Sequence, residues 1–159
     1  MSVRLRTALL LVIAITFTAA ASAYATTALI AEDQPVVRTV LAEDADPPGA
    51  PGRTLGLSRV TVAPGAELAL HRHPGTQIAN IARGTLTYWV VRGAVTVHRG
   101  DRALRTIRAG QRGQVKTGEW IVENPGTIHH AANRGDVQIE ILIATLFKDG
   151  APPSIPVRP

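Results

Sequence analysis

From residue 55 onward the chain alternates short runs of β-branched and apolar residues with glycine turns. The runs cover 55–62, 67–73, 77–82, 85–91, 94–98, 103–107, 120–123, 127–132 and 137–147. Between them stand Pro64-Gly65, Pro74-Gly75, Arg83-Gly84, Arg92-Gly93, Gly100-Asp101 and Asn124-Pro125-Gly126, all turn-forming pairs or triplets. No stretch after residue 31 keeps a helical period over three turns. So many short strands in one domain predict an all-β sandwich or barrel, and closure into a barrel removes exposed strand edges.

The flanks read differently. Val36-Val37-Arg38-Thr39-Val40-Leu41 predicts one short strand. Residues 44–52 predict no regular element, because Pro47, Pro48 and Pro51 remove donors and fix φ. Residues 26–54 are therefore expected to be an extended lead-in, 55–147 the domain, and 148–159 a Pro-rich tail that is either an extended strap or disordered. At the other end, Arg4 and Arg6 precede the apolar run Leu9-Leu10-Leu11-Val12-Ile13-Ala14-Ile15. Ala21-Ser22-Ala23 and Ala23-Tyr24-Ala25 then fit the small-x-small pattern of a cleavage site. Residues 1–25 are expected to be a signal peptide, which implies a secreted, periplasmic or extracellular protein with no stable membrane anchor after cleavage. An uncleaved anchor over residues 7–31 is the alternative.

Composition narrows the chemistry. The 159 residues contain no cysteine, which excludes disulfide scaffolds, Cys-ligated zinc, thiol nucleophiles and Cys-held iron–sulfur clusters. There are 17 basic and 12 acidic residues; losing Arg4 and Arg6 with the leader leaves 15 against 12, or +3. Seven of the basic residues (Arg92, Arg99, Arg102, Arg105, Arg108, Arg112 and Lys116) crowd one stretch where Asp101 is the only acid. They keep no single strand parity and have no interleaved aromatics, so no nucleic-acid partner is expected, and a solvated hairpin face is the simpler reading. An anion-binding edge is the functional one.

Four of the five histidines fall in two pairs, His71/His73 and His129/His130. On a strand, residues i and i+2 share a face, so His71 and His73 can converge on one ion. Gln77 opens the next strand and can lean back to the same spot. A third imidazole comes from His129 or His130, and only one of these neighbours can face inward. Tyr88 and Trp89 pose the same choice, and Trp120 is expected in the core. His98 is expected on the surface. Glu123 and Glu140 are candidates to orient an imidazole, although their parity is not fixed by sequence.

The stretch from Gly65 through His71-Arg72-His73-Pro74-Gly75-Thr76-Gln77 to Gly84 resembles the first motif of the cupin superfamily: Gly, five residues, His-x-His, three or four, Glu, six, Gly. Gln77 stands where the motif has Glu. The stretch from Gly118 through Asn124-Pro125-Gly126-Thr127-Ile128-His129 to Asn133 resembles the second motif, with Asn124 in its proline position. The resemblance implies a double-stranded β-helix, or jelly-roll barrel, with His71, His73, Gln77 and His129 as the metal-facing set and His130 turned outward. It also implies pairing as a homodimer through edge strands. Gly65 and Gly84 are expected at sharp turns, Gly126 at a positive φ, and Asn133 as a turn cap.

Gln77 makes this ligand set neutral, so a divalent ion would keep its full +2. Imidazole then favours Fe, Ni, Cu or Zn over Mg or Mn, and a small anionic or chelating substrate would supply the missing charge. Three functional classes follow: a metal-dependent oxidoreductase of dioxygenase type, a non-catalytic small-molecule-binding module, and a barrel merely stapled by its metal.

Overall fold

The computed structural model describes residues 35–158, all of them in strands, turns and loops. The signal peptide expected over residues 1–25 falls outside the described residues. Twelve strands follow in chain order: β1 (Val36–Ala45), β2 (Arg53–Val62), β3 (Glu67–Arg72), β4 (Thr76–Arg83), β5 (Thr85–Arg92), β6 (Ala94–Arg99), β7 (Arg102–Arg108), β8 (Arg112–Lys116), β9 (Glu119–Glu123), β10 (Ile128–Ala132), β11 (Ile139–Lys148) and β12 (Ile155–Pro156). They form a seven-stranded sheet ordered β1-β2-β11-β4-β9-β6-β7 and a five-stranded sheet ordered β12-β3-β10-β5-β8. Every pairing is antiparallel. The all-β expectation holds.

Alternation builds the core. Ile139, Ile141 and Ile143 on β11 are buried while Glu140, Leu142 and Ala144 between them are not, and Val60 and Val62 on β2 share their face. The second sheet answers with Leu86, Tyr88 and Val90 on β5 and Val115 on β8. Apolar surface removed from water between the two inner faces drives their closure, at roughly 25 cal/mol per Å².

Two segments depart from expectation, and the tail takes one of its two expected forms. The lead-in is not loose: β1 runs ten residues, through Asp44 and Ala45, and pairs along β2 from Val36↔Val62 to Ala45↔Thr54 with one irregularity between Val40 and Ala42. Pro47, Pro48 and Pro51 are confined to the turn that follows, where Asp46 adopts φ 57° and its carboxylate accepts a hydrogen bond from Gly52 N at 2.6 Å. β8 is also a strand, although Val115 is its one core residue. It is an edge strand, and charged side chains suit an edge. The tail is a strap over residues 155–157, where Ile155 pairs with Arg72, Pro156 pairs with His71, and Val157 N bonds Leu70 O at 3.0 Å.

Asn133 does what its motif position implies. It is 1% exposed, and its amide donates to Val62 O at 2.9 Å and Val137 O at 2.8 Å while its Oδ1 accepts from Gly135 N at 3.0 Å. Replacing it with alanine removes three hydrogen bonds and strands two carbonyls, so Asn133→Ala is expected to cost about 2–3 kcal/mol in urea unfolding. A loss below about 0.5 kcal/mol would show that these bonds are replaceable. Gly84 and Gly126 take φ 84° and 95° as expected, and a Cβ at Gly84 would come within 3.0 Å of Ile139 Cγ1.

Candidate metal centre

β3 ends at the site, and β10 pairs beside it with His129 opposite His71. That register brings imidazoles from remote parts of the chain together. Ring centroids stand 4.3 Å apart for His71 and His129, 4.8 Å for His71 and His73, and 5.2 Å for His73 and His129. One nitrogen from each ring lies within 4.8 Å of the other two. His130 points away and stacks on Trp89 at 4.7 Å, with the Arg134 guanidinium 5.8 Å from the same indole ring.

Two tautomers are fixed by backbone. His71 Nδ1 lies 2.6 Å from Ala69 O, and His73 Nδ1 lies 2.9 Å from Pro153 O. A carbonyl only accepts, so each Nδ1 carries the proton and each Nε2 keeps its lone pair. Burial, reinforced by the neighbouring His129, lowers the His71 pKa to about 4. Burial likewise lowers His73, against the pull of Glu123. Both rings are neutral at pH 7, the form that binds metals.

The sequence leaves Glu123 as an orienting candidate of unknown parity; it is the carboxylate of the site. It lies at the end of β9, directly across from Gln77 on β4, and is 3% exposed. Its Oε1 accepts from Tyr88 OH at 2.6 Å and lies 3.0 Å from His129 Nε2. Its Oε2 accepts from Gln77 Nε2 and lies 3.5 Å from His73 Nε2. Burial alone would raise its pKa, but the charges and hydrogen bonds of His129, His73 and Tyr88 outweigh burial and hold the carboxyl below its usual range. Burial and that anion together push the Tyr88 phenol well up, so it keeps its proton.

Gln77 therefore faces the site with its amide nitrogen. A carboxylate offers no donor, so the amide N–H must point at Glu123, and the same nitrogen lies 3.0 Å from His73 Nε2. Gln77 Oε1 and His129 Nδ1 are the buried polar side-chain atoms with no partner among the described residues. The neutral-site expectation is corrected accordingly: the carboxylate absent at position 77 is present at 123, across one rung of the sheet. This donor set suits a divalent transition metal. Two donors each about 2.1 Å from one ion stand roughly 3.0–3.4 Å apart, close to the spacing of Glu123 from His129 and His73.

The other singled-out residues fall elsewhere. Glu140 is on the outer face of β11, 2.6 Å from Arg59. Trp120, expected in the core, is half-buried outside, stacked on His98 at 4.2 Å, because the alternate residues Glu119, Ile121 and Glu123 turn inward. Arg105 and Arg99 close on buried Glu119, which lies just beyond the basic stretch and ties down part of it.

A cavity of about 390 Å³ adjoins the imidazoles. Its walls are largely apolar, including Leu86, Ile121, Ile141 and Ile143, and Pro153 and Ser154 of the tail and Arg38 of β1 also border it.

No family model and no curated protein matches the chain. Solved structures do. A cupin 2 conserved barrel protein from Salinispora arenicola is 17% identical over 72% of this chain and 76% of its own, with TM-score 0.50. A DMSP lyase from Ruegeria pomeroyi is 14% identical over 77% of this chain, which spans about half (52%) of the lyase, with TM-score 0.53. The fold is that of the cupins. In this cupin His71 on β3, His73 just past the end of that strand and His129 on β10 meet as the motif spacing predicts, and the cavity opens beside them.

Proposed function

We propose that this cupin binds one divalent transition metal (Fe, Ni, Cu or Zn) through His71, His73 and His129, with Glu123 supplying the compensating carboxylate, and performs oxidoreductase chemistry on a small molecule in the adjoining cavity. The observation that carries the reading is the convergence of three imidazoles and one buried carboxylate at the wall of an apolar pocket. The bound metal would supply Lewis acidity and open coordination positions for substrate or O₂.

The protein's own groups have distinct tasks. Ala69 O and Pro153 O hold the rings of His71 and His73. Gln77 donates to Glu123 and keeps its carboxylate turned inward. Tyr88 holds its proton on Oη and donates it in a hydrogen bond to Glu123, which fixes one carboxylate oxygen beside His129. The apolar wall excludes bulk water. Read with the leader at residues 1–25, the protein works outside the cytoplasm, with a small molecule rather than nucleic acid as its partner.

Elemental analysis of the protein purified from its exported form is expected to find about one equivalent of transition metal per chain. Metal-dependent O₂ consumption with chelating enolates or carboxylates would support the oxidoreductase reading. Ligand-induced stabilisation without turnover would instead mark a binding module. Absence of metal after reconstitution would end both metal readings.

A further inference from the structure

Arg38 is the third residue of β1. Val36 and Arg38 are half-buried on the inward side of that strand, while Val37 and Thr39 between them face solvent. From this edge of the seven-stranded sheet the Arg38 side chain borders the cavity together with the histidines, Tyr88 and Glu123.

No carboxylate stands within ion-pair distance of Arg38 among the described residues. Glu123 acts on it only through space, its oxygens being engaged by His129, Tyr88 and Gln77. A guanidinium taken partly out of water needs an acceptor, and its planar fork of N–H donors matches an oxyanion bidentately; a carboxylate is the singly charged one that carries an apolar body into such a wall. Most of the remaining wall is apolar, with Val60, Leu68, Leu86, Ile141 and Ile143; Glu67, which also borders the cavity, is ion-paired with Arg134. About 390 Å³ lies within the range of small-molecule sites.

We propose that Arg38 anchors the carboxylate of a small monocarboxylic acid whose apolar body fills the cavity. The proposal rests on the cavity being a small-molecule site and names the class of molecule it takes; it does not depend on the metal. Burial lowers the Arg38 pKa against the opposing charges of Glu123 and Glu43, in keeping with a cation that lacks a protein partner.

The test is calorimetric titration of the full chain with hexanoate and with neutral hexanamide, in metal-loaded and chelator-treated protein. Wild type is expected to prefer hexanoate by about tenfold or more, with or without chelator. Arg38→Gln should lose about that factor for hexanoate and leave hexanamide unchanged, which also reports an intact pocket. Arg38→Lys, keeping charge without the fork, should fall between. An unchanged hexanoate preference in Arg38→Gln overturns the proposal, as does failure of wild type to bind hexanoate. A preference that vanishes on chelation overturns it while leaving the metal reading in place. A preference that persists in protein that takes up no metal supports Arg38 and removes the metal reading instead.

Discussion

Replacing His73 with alanine is expected to take metal content from about one equivalent per chain to less than about a tenth. His73 is 4% exposed, its Nδ1 is tied to Pro153 O, and its Nε2 lies against Gln77 and Glu123. Its loss deletes one of three imidazoles and takes the ring partner from the Pro153 carbonyl and from one Gln77 amide N–H. The thermal signature separates metal loss from simple damage. Wild type loaded at about a hundredfold over its dissociation constant gains about 2.7 kcal/mol, or on the order of 10 °C in melting temperature, and surrenders it to chelator. The alanine variant should melt at one temperature with and without chelator. His98→Ala, on the outer face against Trp120, should behave as wild type. Full metal content in the His73 variant would dismantle the proposed centre.

Glu123→Gln should weaken metal binding about 10–100-fold, the loss usual for groups that hold and charge a metal site. The substitution keeps the shape and an acceptor for Tyr88 but removes the anion that His73 and His129 face. It also sets one amide against another across the 77–123 pair. Discrimination should change with affinity: without a carboxylate the site should retain Zn²⁺ or Cu²⁺ far better than Mn²⁺. The double variant Gln77→Glu/Glu123→Gln returns the anion to the opposite strand and should recover most of the affinity, which a purely structural role would not do. Unchanged affinity and metal preference in Glu123→Gln would show that the carboxylate is not part of the centre.

The histidine cluster was legible because it depends on features sequence carries directly. The i, i+2 spacing puts His71 and His73 on one face, and glycines with positive φ at Gly84 and Gly126 punctuate the motifs. Glu123 was illegible for a specific reason. An indole is ordinarily taken for core, and placing Trp120 inward assigns Glu123, three positions on, to the solvent side. The Trp120 ring instead has its own partners outside, His98 by stacking and Gly100 O by hydrogen bond at 3.0 Å. That arrangement leaves the odd positions of β9 to the interior. Arg38 was missed because β1 has little local signal: most of its residues are exposed, and pairing with β2 rather than burial makes it a strand. β8 escaped for the same reason at the other sheet's edge.

The contact between His73 and Pro153 spans 80 residues. A ribosome delivers all three imidazoles and Glu123 before the carbonyl that sets the tautomer of His73. A growing chain released only as far as residue 150 holds every proposed donor yet lacks the clamp on one of them. On the proposed reading, ion capture would be completed only when the last strap closes. A fusion partner attached at the carboxyl end is the alteration most able to disturb it without touching a single ligand.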